Sequence, residues 1–384
     1  MGHLDELGVR SLINAAGAYT MYGGSRLAPG VQAAMAEPAD LFVDLDALQR
    51  RVGARIAELT RNEACFVASG AAAGVAIAVA ACIAGTDEGR IDAFPVPGDR
   101  EIVIQRSHRN GYDYSARMTG VRLVEAGSDD RAPTAAELRA AIGPSTACVL
   151  FFDGPQYQRH TLAVEVVIAV ARDAGVPVVV DAAGQVPPVA SLWRYTAGLG
   201  ADLAVFSGGK GMRGPQTTGL VVGRPHLVEA CLANANPRHS LGRPMKVGKE
   251  ELLGILAAVE WTVRQDEAAL YERWERTAAR WIAGLGDISG VEPRREFPGI
   301  HDQVPQCVVR VARWSAAARD ACISHLKAGE PPVAIRAGLA ADEIQLNPMF
   351  VREGEALIVL ERVREELLRQ TKPSARTSAS SLTS

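Results

Sequence analysis

From residue 64 to residue 233 the chain alternates short apolar, β-branched runs with longer alanine-rich stretches. The runs predict strands over Ala64–Ala68, Glu101–Gln105, Val121–Glu125, Ala147–Phe152, Pro177–Asp181, Asp202–Phe206 and Thr218–Gly223. The intervening patterns predict helices over Gly70–Ala84, Thr134–Ile142, Leu162–Ala174 and Pro225–Ala233. Runs such as PVVVD and DLAVF are apolar at successive positions, so both faces of those strands must be covered. Strand–helix alternation with such strands gives an α/β fold, a mostly parallel sheet with helices on both faces.

The pattern changes after Gly248. One long helical stretch runs toward Leu285 and carries Trp261, Trp274 and Trp281. Strand-like runs follow at Cys307–Val311, Pro332–Arg336 and Ile344–Leu346, with helices near Ser315–Lys327 and Glu353–Gln370. The expected organisation is an N-terminal segment (1–40), a large domain (41–247), then a linking helix and a smaller C-terminal α+β domain (248–372). The tail 373–384 is small, polar and unpatterned, and is expected to be disordered.

Composition narrows the function classes. Hydrophobic residues make up 48% and charged residues 22% of the 384, as in ordinary globular chains. A net charge of -3 gives no basic face for sequence-independent binding of nucleic acid. The longest apolar run, Ala71–Ala84, is too short to span a bilayer, and the N-terminus lacks a secretory signal, so no membrane partner is expected. The cysteines at 65, 82, 148, 231, 307 and 322 are too dispersed for a zinc site or a disulfide scaffold. They read as core residues in a reducing, cytoplasmic setting, and the unpaired histidines add no metal motif. Only five of the 41 basic residues are lysines: 210, 246, 249, 327 and 372. Chemistry that needs an amine has few candidates.

Three strand ends carry distinctive residues. In ACFVASGAAAG, a strand runs into Ser69-Gly70-Ala71 at a helix start, where amides, helix dipole and hydroxyl suit a phosphate. An ordinary serine N-cap would look the same. In PVVVDAAGQ, Asp181 ends an apolar strand, where a carboxylate needs a cationic partner or a capping role. In DLAVFSGGKGMRG, Lys210 follows a strand among Ser207, Gly208, Gly209 and Gly211, which let backbone approach a planar ligand and let the amine swing. Together they fit one cofactor, pyridoxal 5'-phosphate (PLP). Lys210 would be its Schiff-base lysine, and Asp181 would keep the pyridine nitrogen protonated.

The segments INAAGAYTMYGGS (13–25), ASGAAAG (68–74), QRSHRNGYD (105–113), VVVDAAGQ (178–185), FSGGKGMRGPQTTGLVVG (206–223) and LGRPMKVGKEE (241–251) carry a family resemblance. The sequence resembles fold-type-I PLP enzymes, in the branch of selenocysteine synthase and D-glucosaminate-6-phosphate ammonia-lyase. The resemblance implies an aspartate-aminotransferase-like fold and a homodimer or higher homo-oligomer with shared active sites. It implies that His108 stacks on the pyridine ring and that Ser207 joins Ser69, Gly70 and Ala71 at the phosphate. Arg243 would reach the phosphate of a neighbouring subunit. Arg336 would grip a substrate carboxylate, and Tyr19, Tyr22, Asp153 and Gln156 lie in segments that would line the substrate site. Unlike selenocysteine synthase, this chain starts almost directly at INAAG and is acidic, which favours a small amino acid or amino sugar acid over tRNA.

PLP enzymes of this kind act at the substrate's Cα, with Lys210 as general base. Elimination of a β-substituent with loss of ammonia is expected from the resemblance. Racemisation or epimerisation, β-replacement and transamination use the same residues and stay open. A nicotinamide oxidoreductase would need a GxGxxG fingerprint, which ASGAAAG does not supply. A non-catalytic scaffold would be expected to lose Lys210 or Asp181, and both are present.

Overall fold

The computed structural model describes residues 2–298 and 303–371. The expected disordered tail, 373–384, lies outside the described residues, as does Lys372. Two compact units are present: Ala18–Leu270 with Pro298 and Gln303, and a second formed by the N-terminal residues through Gly17 with 271–297 and 304–371.

The larger unit is built on seven strands: β1 (Ala64–Ala68), β2 (Glu101–Gln105), β3 (Arg122–Ala126), β4 (Thr146–Phe152), β5 (Val178–Asp181), β6 (Leu203–Ser207) and β7 (Gly219–Gly223). Their order across the sheet is β3-β2-β4-β5-β6-β7-β1. All neighbours run parallel except β7, which is antiparallel to both β6 and β1. Side chains alternate between two cores. Val103, Val149, Val180 and Phe206 enter one, while Ile104, Leu150, Val179 and Val205 enter the other. The helix Ala71–Ala84 is buried almost all round, which explains why it reads as alanine, valine and isoleucine rather than as an amphipathic stripe.

The smaller unit holds a four-stranded antiparallel sheet of β8 (Val291–Glu296), β9 (Gln306–Val311), β10 (Arg336–Ala337) and β11 (Glu343–Leu346), in the order β10-β11-β9-β8. Its core gathers Trp281, Cys307, Val309, Leu346 and Val359. Ile13–Asn14 pairs in parallel with Val333–Ala334.

The single long helix expected after Gly248 is two helices, Lys249–Thr262 and Glu267–Leu285. Asp266 makes the break, its Oδ1 accepting the Ala269 N–H at 3.0 Å as an N-terminal cap. Apolar periodicity ran through the interruption and hid it. Strand β8 had no strand pattern because it is an edge strand, where Pro293, Arg294 and Arg295 are tolerated. Five cysteines are buried, Cys82 is half-buried, and all six are free. Among the described residues no helix is long and apolar enough to cross a membrane.

Candidate active site

At the end of the large sheet, Ala68, Gly219 and Ser207 form one row across β1, β7 and β6. Gly219 is the reason the row can close. A Cβ there would stand 2.6 Å from the Gly70 carbonyl carbon and 2.8 Å from the Ala71 nitrogen, so only hydrogen fits beneath the helix start. Gly70 itself has φ +102 and gives no side-chain cap, leaving the first-turn amides of a 14-residue helix for another acceptor. Ser69, Gly70, Ala71 and Ser207 are thereby brought to one corner, with the positive end of the helix dipole.

Lys210 follows in a tight loop. The Gly208 amide donates to Thr218 O, the Gly214 amide to Gly208 O, and the Arg213 amide to Lys210 O, at 2.8–2.9 Å. A Cβ on Gly209 would lie 2.6 Å from Gln216 Cα. Residues 18–28 are strapped across this loop. Gln216 Nε2 donates to Thr20 O at 3.0 Å, Arg213 Nε to Arg26 O at 2.8 Å, and the Ala28 amide to Arg213 O at 2.8 Å. The strap carries Tyr19 and Tyr22, whose rings stand edge to face with centroids 6.4 Å apart. Burial, and then Tyr19, raise the Tyr22 phenol above its ordinary pKa.

Asp181 ends β5 with its carboxylate buried and Oδ1 accepting the Ala183 amide at 3.0 Å. Burial pushes its pKa up to about 6, against the opposing pull of the Ala183 amide and the Lys210 ammonium. That balance leaves a buried carboxylate whose desolvation outweighs the positive groups near it, so a further cation beside it would be favoured. Next to it, at the end of β4, Asp153 accepts from the Tyr195 hydroxyl and from Gln158 Nε2 at 3.2 Å. Gln156 is exposed on the short turn Pro155–Tyr157.

His108 is fully buried on the turn after β2. Its Nδ1 accepts the Phe152 amide at 3.2 Å, and its Nε2 faces Thr161 Oγ1 at 2.9 Å. Burial pushes its pKa down to about 4, so the ring is neutral at neutral pH. Tyr157 packs near it, centroids 5.8 Å apart, and feels the Asp181 carboxylate electrostatically. Tyr157 and Thr161 lay in no motif, and Gln105 opened the segment QRSHRNGYD without a role assigned to it. A buried glutamine at a strand end was the available signal for Gln105.

Two further residues belong to other elements. Arg243 sits half-buried in the turn 240–245, and among the described residues no hydrogen bond or ion pair joins its side chain to this group. Arg336, in the smaller unit, is buried, its Nε donating to Gln345 Oε1 at 2.9 Å and its second terminal nitrogen to Gln306 Oε1 at 2.8 Å.

The donor set matches PLP part by part: a side-chain-free cradle at a helix start for the phosphate, a buried carboxylate for the ring nitrogen, a neutral aromatic ring, and an amine on a glycine loop. Residues 96–243 match the aminotransferase class-V family. The chain is 37% identical to a 5'-C-glycyluridine monooxygenase-decarboxylase of Streptomyces sp, over 94% of this chain and 91% of that protein. It is 31% identical to the D-glucosaminate-6-phosphate ammonia lyase of Salmonella typhimurium, over 94% of this chain and 96% of that one. The chain belongs to the fold-type-I PLP enzymes. Within them it stands in the branch that also holds the L-seryl-tRNA(Sec) selenium transferases. A solved D-glucosaminate-6-phosphate ammonia-lyase superposes on this PLP enzyme with a TM-score of 0.80 at 30% identity, covering 96% of this chain and 99% of the other.

Proposed function

We propose that this PLP enzyme is an α,β-eliminating ammonia-lyase acting at the Cα of a small amino acid or amino sugar acid. The end-to-end likeness to D-glucosaminate-6-phosphate ammonia-lyase, spanning both units at a TM-score of 0.80, is the observation that carries the reading. When bound, PLP supplies an electron sink that makes a bond to the substrate Cα labile. In this reading Lys210 Nζ holds the cofactor and then takes the Cα proton as general base. Asp181 pairs with the ring nitrogen and His108 lies against the ring face. Ser69, Gly70, Ala71 and Ser207 hold the phosphate, joined by Arg243 from a second copy of the chain. Tyr19, Tyr22, Gln156 and Arg336 are the substrate-side candidates. Departure of the β-substituent and hydrolytic loss of ammonia leave a 2-keto acid.

A second reading is favoured by the 37% relative, whose name describes an oxygen-using decarboxylation of a glycyl group. Both readings begin at the same Cα. The deciding experiment incubates the holoenzyme with amino acids and 2-amino sugar acids, with and without phosphate, and follows every product. Equal release of ammonia and 2-keto acid without oxygen uptake is expected. Carbon dioxide release coupled to oxygen uptake would replace the lyase with the second reading. Loss of optical activity without ammonia would replace both with racemisation.

A further inference from the structure

Gln105 is the last residue of β2 and is 2% exposed. Its side-chain amide clamps a residue 57 positions away: the Leu162 N–H donates to Gln105 Oε1 at 2.6 Å, and Gln105 Nε2 donates back to Leu162 O at 3.4 Å. Just before the clamp, His160 adopts φ +58, a left-handed backbone that non-glycine residues rarely hold without external support. Clamp and turn together bring Thr161 Oγ1 to 2.9 Å from His108 Nε2.

The other ring nitrogen fixes the direction of that hydrogen bond. Nδ1 accepts the Phe152 amide hydrogen, so Nδ1 must be bare. The ring is neutral and its single proton lies on Nε2, donated to Thr161 Oγ1. The Thr161 hydroxyl hydrogen passes on to Leu162 O at 3.2 Å. Phe151, edge-on at 4.5 Å between centroids, and Tyr157, at 5.8 Å from the turn Pro155–Tyr157, also pack against the imidazole.

We propose that Thr161 is a positioning residue that locks His108 as its neutral, Nε2-protonated tautomer and fixes the plane of its ring at the cofactor. The inference rests on the reading of His108 as the residue against the PLP ring. A neutral plate suits a ring that Asp181 keeps protonated, because a stacked imidazolium would repel it. With both nitrogens engaged by protein groups, His108 also has no free nitrogen with which to move the substrate's proton.

The test is a long-range 1H–15N spectrum of the cofactor-free protein with labelled histidine, beside a titration with PLP. The wild type is expected to show a bare Nδ1 and a protonated Nε2. Thr161→Val is expected to give mixed tautomers and about tenfold weaker PLP binding, the loss of roughly one hydrogen bond's worth of order. Thr161→Ser is expected to restore both. An Nδ1-protonated wild type, or a Thr161→Val protein with unchanged spectrum and affinity, would overturn the lock. His108→Ala that binds PLP as tightly as wild type would overturn the plate itself, which separates the failure of that reading from the failure of the lock.

Discussion

Around Lys210 the structure places backbone: glycines at 208 and 209, carbonyl-to-amide bonds across the loop, and a strap whose Gly24 approaches Gly209 O so closely that a Cβ would sit 2.7 Å from it. Around His108 it places mostly side chains, Thr161, Phe151 and Tyr157, with the Phe152 amide as the one backbone group on its ring nitrogens. The contrast fits the roles proposed for the two residues. An amine that must leave one bond and find another needs a rigid base and a free stem, which glycine-packed backbone gives. A plate against a ring needs its own plane fixed, and hydrogen bonds to both ring nitrogens, from the Phe152 amide and to the Thr161 hydroxyl, fix it.

The largest effect should come from the lysine side. Lys210→Ala is expected to lose the yellow cofactor band and the pyridoxyl label left by borohydride, and to lower turnover by about four orders of magnitude or more. A labelled and active variant would end the comparison. The next effect is electrostatic. Asp181 keeps its proton in the fold up to about pH 6, whereas an unfolded aspartate releases it near 4. Stability of the cofactor-free protein therefore falls as pH rises through that window, and the full cost stands above it. Asp181→Asn is expected to stabilise the cofactor-free protein by roughly 3 kcal/mol at pH 7–8 and by little near pH 4, read as the shift in Tm. His108 has the opposite sign. Its pKa is lowered to about 4, so its stability is present above about 6.5 and is lost as pH falls toward 4. The two slopes offset one another in the wild type, and Asp181→Asn should expose the histidine's. A Tm difference that does not change with pH would sink the assignment. Smaller again is Gly219→Ala, expected to cost about 1–3 kcal/mol and to weaken PLP binding through the phosphate corner. Unchanged affinity there would detach Gly219 from that corner.

How much of this was legible depended on the range of the interactions. Strands β1 and β2 were readable to the residue, because each is a short run buried over its last four positions and followed by glycine or charge. The strand ends at Ala68, Asp181 and Ser207 were local facts too, and they pointed to PLP. Edge strand β8 and the break at Asp266 were hidden, the first by solvent-facing charge and the second by unbroken periodicity. Thr161 was out of reach for a different reason. Its role exists only after Gln105 closes on Leu162, and nothing in HTLAV announces that contact.

The strap on the lysine loop has a consequence in time. Residues 18–28 leave the ribosome well before the groups they bind, Arg213 and Gln216, which are 187 and 196 positions from their partners. At roughly 5–20 residues per second, the strap waits about 10–40 s for its loop to be made. During synthesis, then, the carbonyls of Thr20 and Arg26 wait without these partners, and Lys210 acquires its finished surroundings only when an earlier segment of the chain meets a later one.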